Sequence, residues 1–391
     1  MVKSSDFDSF AILEFPMSSG SDSSQREHYG AAGSRPEELP PVTPPSAGYI
    51  VQLFLIPALI VMAVVGVWAL FGKLADSESD WQQLVAELGS SNEHRRWRAA
   101  LGLAQLLRNE EITPPEDREP LAKHPLVIDS LTELLSQSLK TQTPSEEDLS
   151  HQEYLARTLG ALNADEKTMP VLAEAAQEMH NIEVRKSALM SIAVIAGRRF
   201  DAITGYSAKE DKITAGGETK SVPLEKPTIS DAAVQQQLKL CAQDKEPVVR
   251  HLAAFAIGNV GGPDSADLLK VMLLDGDRFA RANAAVGLAR NGSTDGVPIL
   301  LELLNESLLP FDASALKGKA ANEIQLAENN FLVEQPSLVR TCLRAVSDLW
   351  PRLSDPEKAE FKTVVEKISA EFFAPQVRIQ ADELLRKIAG P

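Results

Sequence analysis

The chain has 391 residues and a formal net charge of −16 at pH 7. This length exceeds one ordinary globular core, so several domains or one elongated array are expected. Aromatic residues make up 5% and hydrophobic residues 44%, which disfavours an all-β domain, and the acidic charge argues against nucleic acid as a partner.

The first 48 residues are rich in serine, proline, glycine and acidic side chains, and they end in the run Pro40-Pro41-Val42-Thr43-Pro44-Pro45. A segment of this composition cannot bury enough apolar surface to offset its chain entropy. The sequence therefore predicts a disordered tail over residues 1–48.

Residues 49–71 form an uncharged segment in which every residue except Gln52 is apolar, glycine or proline. About 23 helical residues span roughly 34 Å, which is enough to cross a hydrocarbon core near 30 Å. The segment predicts one transmembrane helix and hence an integral membrane protein, with a short linker at 72–79. Arg35 and Lys73 balance each other in the positive-inside count. Because a single anchor near the start of a chain commonly exports the residues on its C-terminal side, we expect the tail inside and the rest outside.

Beyond residue 80, apolar residues recur at helical spacing, and proline and glycine separate the helices. The pattern predicts an all-α array of about seven helix pairs over residues 80–391. Two stretches, near 201–230 and near 307–335, are longer than a joint between helices requires. Long loops of this kind are usually functional or disordered, so both are interpreted as insertions.

An arginine recurs at about one repeat length, each time after a small apolar or aromatic residue and at the start of an alanine- and leucine-rich run. In two cases an aspartate precedes the arginine by six positions: Asp244 before Arg250, and Asp275 before Arg281. The arginines in this pattern are Arg98, Arg185, Arg250, Arg281, Arg340 and Arg378.

This pattern resembles HEAT and HEAT-like repeats, and the whole order of tail, span and repeats resembles bacterial membrane-anchored HEAT-repeat proteins. The resemblance implies an α-solenoid in which the arginines and the two aspartates form a structural ladder of hydrogen bonds between neighbouring turns. It also implies an incomplete ladder, because the remaining repeats lack the aspartate, and Gln152 stands where the second pair would carry its arginine.

The residues contain no motif for catalysis, metal binding or a nucleotide. The six histidines are scattered, and the chain has no His-Glu dipeptide of the kind that a HEAT-like hydroxylase would use to hold iron. Cys241 and Cys342 are interpreted as small buried hydrophobic residues. We therefore expect no catalytic residue, no metal, no cofactor and no small-molecule substrate.

The sequence thus favours a non-enzymatic scaffold that binds protein partners through its repeat surface, with Lys209, Lys212 and Lys220 as a possible binding loop. From the acidic net charge we expect a basic or mixed partner. The alternative is a bilin-lyase-like HEAT enzyme or a tetrapyrrole-binding protein, for which His151, Tyr154 and Arg157 would supply polar anchors on one helix. Trp97 is interpreted as a core residue.

Overall fold

The computed structural model describes residues 48, 55–67, 81–116, 118–204 and 224–389, and the chain divides into two units, Met1–Glu78 and Ser79–Pro391. In the described part of the second unit the regular structure is helical, without strands. Fourteen α-helices pack as seven consecutive pairs, so the predicted α-solenoid is confirmed. We call each pair a repeat and number the repeats from the N-terminal end.

Each of the seven repeats consists of a first and a second helix. In chain order they are α1 Trp81–Leu88 and α2 Glu93–Ile112, α3 Pro125–Leu139 and α4 Glu146–Leu159, α5 Asp165–Ala175 and α6 Ile182–Thr204, α7 Ala232–Cys241 and α8 Pro247–Val260, α9 Pro263–Met272 and α10 Arg278–Arg290, α11 Val297–Glu306 and α12 Ala321–Leu349, and α13 Asp355–Glu371 and α14 Pro375–Ala389. Short 3-10 turns cover Leu121–Lys123, Ala313–Leu316 and Trp350–Arg352.

Local sequence explains where many of these helices begin. The side chains of Asn92, Asp231 and Asp277 accept hydrogen bonds from backbone N–H groups in the first turns of α2, α7 and α10. Ser145 forms a capping box with Asp148 at the start of α4. Each such cap stabilises a helix by about 1 kcal/mol.

The helices form two layers, one of first helices and one of second helices, and the buried side chains between them are mainly leucine, alanine, valine and isoleucine. Contacts between successive second helices are especially extensive at α6, α8 and α10. Between α8 and α10 the backbones themselves meet, since a Cβ atom on Gly258 would lie 2.7 Å from the Cα atom of Gly287. The layer of second helices is therefore tightly packed in repeats 3 to 5.

The second expected insertion, 307–335, differs from the structure because residues 321–335 belong to the long helix α12. This stretch lacks glycine and proline, and its asparagines lower helix propensity by only a fraction of 1 kcal/mol each. Pro336 lies inside the helix without ending it. The non-helical stretch is therefore limited to residues 307–320 and contains one 3-10 turn.

The first expected insertion, 201–230, begins inside α6, which extends to Thr204. Its central part, with Lys209, Lys212 and Lys220, falls in 205–223, outside the described residues.

In the first unit, residues 55–67 are helical, and their large apolar side chains are exposed. Among the helices described, none has the length and apolar character that crossing a membrane requires. The structure therefore gives no support to the transmembrane helix expected over 49–71, of which 49–54 and 68–71 lie outside the described residues. The tail, apart from Gly48, and the linker at 72–79 also lie outside them.

Candidate functional site

The arginine in the first turn of α8 joins two repeats. Arg250 donates Nε to Asp275 Oδ2 at 2.8 Å and Nη2 to Asp275 Oδ1 at 3.0 Å, a bidentate pair between repeats 4 and 5. Its Nη1 donates to the backbone oxygen of Asp244 at 2.9 Å, within its own repeat. Arg250 therefore links the turn of its own repeat to the turn of the next.

Arg185 and Arg281 occupy the same position in repeats 3 and 5. Arg185 is buried, forms an ion pair with Asp244 of repeat 4, and donates Nε to the backbone oxygen of Ala176 at 3.2 Å. Arg281 donates to the backbone oxygen of Asp275 at 3.1 Å and to Glu302 Oε1 on α11 at 2.9 Å. Together with Arg250, these arginines form a ladder of three ion pairs from repeat 3 to repeat 6.

In the first repeat, a different residue from the one expected takes this position. Arg96, rather than Arg98, donates Nη1 to the backbone oxygen of Ser90, six residues earlier, at 2.9 Å, as Arg250 and Arg281 do to the residues six before them. Arg98 is exposed. The helix N-cap would have identified the correct arginine. The ladder arginine lies four residues after the N-cap, and in the first repeat the N-cap is Asn92.

The remaining repeats depart further from the ladder. Gln152, which is 2% exposed, donates to the backbone oxygen of Ser138 at 2.8 Å and so satisfies the end of the first helix in its own repeat. Arg340 is exposed and exchanges hydrogen bonds with Gln380 on α14. Arg378 is half-buried and has no ion pair within the described part of the chain.

The ladder perturbs the titration of its carboxylates. The hydrogen bond from Arg250, stronger in its effect than the opposing burial, holds the pKa of Asp275 below its usual value. At Asp244, burial alone would raise the pKa, but the hydrogen bonds from Arg185 and from the backbone N–H of Glu246 lower it. Both groups are therefore ionised in the folded protein at neutral pH, and their environment suits fixed ion pairs.

Four apolar residues at the surface of three adjacent second helices form what we call the apolar strip: Met190, Val194, Phe255 and Val286, with His251 one turn before Phe255 on α8. Met190, Phe255 and Val286 are each the ninth residue of their helix, namely α6, α8 and α10. Met190 is 36% exposed and Val194 is 41% exposed, whereas Phe255, Val286 and His251 are half-buried. Burial lowers the pKa of His251, which favours its neutral form.

A second group of partly exposed side chains, which we call the aromatic cluster, joins α2 to α4. The ring of Trp97 stacks on that of His151 with their centroids 3.8 Å apart, and it meets the ring of Tyr154 edge-on at 5.2 Å. Burial raises the pKa of Tyr154, while the positive charges of Arg108 and Arg157 oppose that shift. Trp97 is half-buried and packs against the hydrophobic core, which agrees with its interpretation as a core residue.

Charge is distributed unevenly between the two layers. Each layer of seven helices has fifteen aspartates and glutamates, but the first helices have six lysines and arginines and the second helices have eighteen. The first helices therefore carry a net charge of −9 and the second helices +3. Setting aside the pairs of Arg185 and Arg250 with turn aspartates still leaves +1 on the second helices. The negative net charge of the chain is therefore not shared evenly between the two layers of helices.

The two cysteines are enclosed. Cys241 and Cys342 are buried free thiols, and burial raises the pKa of Cys342 to about 12. The prediction that both cysteines are buried is confirmed. Within the described ranges, no three histidine, cysteine or acidic side chains are grouped as a metal site would require.

Comparison with known protein families finds a match for one segment of the chain. A family model of HEAT repeats matches residues 234–315, so the resemblance to HEAT repeats is confirmed there. No curated protein matches the sequence of the chain.

Solved structures with a similar course of the chain include the complex of CpcE and CpcF of phycocyanin lyase from Nostoc sp. PCC7120. That structure has 14% identity and a TM-score of 0.34, and the match covers 78% of this chain and 93% of that one. Human deoxyhypusine hydroxylase in complex with glycerol has 16% identity, coverage of 81% and 98%, and a TM-score of 0.26. An engineered protein has 16% identity, coverage of 80% and 97%, and a TM-score of 0.28. At these TM-scores, the similarity to the three structures does not indicate a function.

Proposed function

We propose that this chain, whose residues 234–315 are HEAT repeats, is a membrane-attached scaffold that binds protein partners along its layer of second helices. The observation that carries this proposal is the apolar strip, which continues across three successive helices in repeats 3 to 5. Exposed apolar side chains that adjoin one another mark interaction sites more often than scattered ones do. A solenoid presents such side chains as an extended surface for an extended ligand.

The strip is tested by introducing charge. The double substitution Met190→Glu and Val194→Glu should leave helicity unchanged, because both side chains are exposed, and should abolish capture of crosslinked proteins from native membranes. Val271→Glu is the matched control, since Val271 is 68% exposed but lies on a first helix, α9. Capture of the same proteins by the parent and the double variant would refute the proposal.

Membrane attachment is part of this proposal and is supported by the uncharged sequence of residues 49–71. We place the tail inside and the repeats outside. Protease added to intact cells should then degrade the repeats and leave the tail protected. Degradation of the tail alone would reverse this orientation, and release of the full chain by carbonate washing would exclude a spanning segment.

A second candidate function, binding of a tetrapyrrole, is favoured by the aromatic cluster. Stacked rings beside arginines suit a flat ligand that carries carboxylates. A linear tetrapyrrole such as biliverdin would then change its absorbance spectrum on titration with the protein and quench tryptophan fluorescence. Tyr154→Phe and Trp97→Phe should weaken both effects, and an unchanged spectrum would exclude this function.

A further inference from the structure

The apolar strip is bordered by arginines along one side. Val194 and Val286 are each followed one helical turn later by an arginine, Arg198 on α6 and Arg290 on α10. Side chains four residues apart lie on the same face of a helix, so both arginines stand beside the strip, toward the C-terminal ends of their helices. We call Arg198 and Arg290 the arginine border.

Positive charge is concentrated on the three helices that carry the strip. Helices α6, α8 and α10 together have eight lysines and arginines and two acidic residues, a net charge of +6. The second helices on either side are acidic, with −3 on α4 and −2 on α12. Setting aside the three ladder arginines, each of which is paired with an acid outside these helices, still leaves +3 on the three helices.

This excess lies at one end of the three helices. Near their N-terminal ends are two basic residues, Lys186 and Arg278. Glu183 and the N-cap residues Glu246 and Asp277 lie at the same ends and balance them. Toward the C-terminal ends of the helices, three arginines stand against a single acidic residue. The side of the strip with the arginine border is therefore positive, and the opposite side is not.

Arg198 is the less compensated of the two border arginines. Its Nη2 donates to the backbone oxygen of Leu162 at 2.7 Å, and it has no ion pair with another described residue. Burial lowers the pKa of Arg198, and the charge of Glu111 opposes that shift. Arg290, by contrast, is paired with Asp201. A half-buried guanidinium group with further donors, next to an apolar surface, is suited to bind a carboxylate.

The arrangement of the strip favours a helix as the bound segment. Met190, Phe255 and Val286 hold equivalent positions on three adjacent helices, whose axes are about 8 to 10 Å apart in such packing. Residues seven apart in a bound helix are about 10.5 Å apart on one face, so a single apolar stripe would meet all three. The residues beside that stripe would lie over the border. In an extended segment, alternate side chains point to opposite faces, so its carboxylates would point to solvent.

We propose that the apolar strip binds an acidic amphipathic helix of a partner protein, with the apolar stripe of that helix on the strip and a flanking carboxylate on Arg198. Paired hydrogen bonds between a guanidinium group and a carboxylate would fix the direction and register of the bound helix. The inference rests on the proposed scaffold function and adds the chemistry and conformation of the partner segment. A basic or mixed partner was expected from the net charge of the whole chain, whereas the charge of this surface favours an acidic one.

The test uses the full-length protein in detergent and a fluorescein-labelled peptide of about 18 residues, with leucines along one helix face and glutamates beside them. Fluorescence anisotropy should detect binding that weakens as salt is added. Arg198→Gln should raise the dissociation constant about tenfold, because it removes the charged partner of the carboxylate and keeps a donor for the Leu162 oxygen. Arg95→Gln, the same change at an exposed site on α2, should leave the dissociation constant unaltered.

Two further peptides test the charge and the conformation of the partner separately. The peptide with lysine in place of glutamate should not bind, and a peptide of the same composition whose leucines no longer share a helix face should bind more weakly. Both measurements use the parent protein, so they decide the question even if Arg198→Gln destabilises the fold.

Three outcomes would overturn the inference: a glutamate peptide that fails to bind, a lysine or rearranged peptide that binds as well, or an Arg198→Gln protein with the affinity of the parent. Loss of partner capture by the Met190→Glu and Val194→Glu double variant would still support the scaffold function in each of these cases. The failure of the acidic helix and the failure of the scaffold function are therefore distinguished by separate measurements.

Discussion

The arginine at the fourth position of a second helix is useful because it serves two turns with one side chain. Arg250 satisfies the backbone oxygens of Asp244 and Lys245 at the end of its own turn and binds Asp275 of the next repeat. The five donors of a guanidinium group point in fixed directions and reach both turns at once. The ammonium group of a lysine is compact and cannot span the two sets of acceptors. The ladder therefore depends on arginine and not on positive charge alone.

Arg250→Ala should lower the free energy of unfolding by about 1 to 3 kcal/mol, because it leaves a largely buried carboxylate and two backbone oxygens without their donor. Arg340→Ala removes an exposed arginine and should change that free energy by no more than about 0.5 kcal/mol. Urea unfolding followed by circular dichroism measures both. Equal losses in the two variants would show that the ladder does not stabilise the array.

The carboxylate of the same pair should make stability depend on pH. The folded-state pKa of Asp275 is lowered, so its contribution is present above the unfolded-state value, near 3.9, and is lost as the pH falls through the folded-state value. Asp275→Asn should therefore destabilise the protein at pH 7 and flatten the loss of stability below about pH 4. Asp267→Asn, at an exposed site on α9, is the control. An acid limb as steep in Asp275→Asn as in the parent would contradict the argument.

At this scale, recurrence alone identified the ladder positions in repeats 3 to 5 and missed the first. The sequence pattern aligns Trp97-Arg98 with the Val-Arg steps, because an aromatic residue before arginine resembles the apolar one. Counting four residues from the N-cap Asn92 would have selected Arg96. The spatial pairing of each arginine with an acid of the next repeat, including Glu302, requires the stacking and cannot be obtained from spacing.

Between elements, α8 and α10 approach each other closely. Gly258 and Gly287 allow the two backbones to touch, and the atoms nearest to a methyl group on Gly258 would all be backbone atoms of Gly287. Helix positions normally favour alanine over glycine by about 1 kcal/mol. Here contact between helices overrides that preference.

Gly258→Ala should therefore destabilise the array by about 1 to 3 kcal/mol, because α8 and α10 must move apart. Gly276→Ala is the matched control, since a Cβ atom there has nothing within 4 Å and the residue lies in a turn. Differential scanning calorimetry compares the two variants with the parent. A Gly258→Ala protein that melts at or above the parent temperature would show that the interface tolerates the methyl group.

Sequence periodicity predicted the seven helix pairs but not the residue at which α12 begins. Apolar spacing, proline and glycine were sufficient to predict seven pairs, because each pair buries a stripe of the same period. The start of α12 was missed because residues 321–333 contain no buried side chain. A solvent-exposed helical extension lacks the apolar stripe on which such a prediction depends.

For the whole molecule, composition disfavoured an all-β domain, in agreement with the helices of the described residues, but net charge does not show how charge is divided between the layers. A sum over the chain cannot reveal that eighteen of the twenty-four basic residues in the fourteen helices lie in one layer. The uneven distribution becomes visible only when each helix is assigned to its layer. The sequence placed His151 and Tyr154 on one helix, but only the stacking of α2 on α4 brings Trp97 to them.

Removing the first unit should separate attachment from folding. A fragment beginning at Ser79 keeps the fourteen helices and loses the uncharged segment, so it should stay in solution with a helical circular dichroism spectrum. The full chain should sediment with membranes and resist carbonate washing. A fragment that sediments with membranes as the full chain does would locate the attachment within the repeats.

The uneven ladder also determines how the array responds to a pulling force. Ion pairs of the ladder cross the junctions from repeat 3 to repeat 6. Besides their apolar contacts, repeats 1 and 2 meet through ring stacking, and repeats 6 and 7 through hydrogen bonds of exposed side chains. An array with ion pairs at its central junctions should be stiffer at its centre than at its ends. Tension applied between an attached first unit and a partner held at the centre would therefore extend the terminal repeats first and leave the central surface in shape.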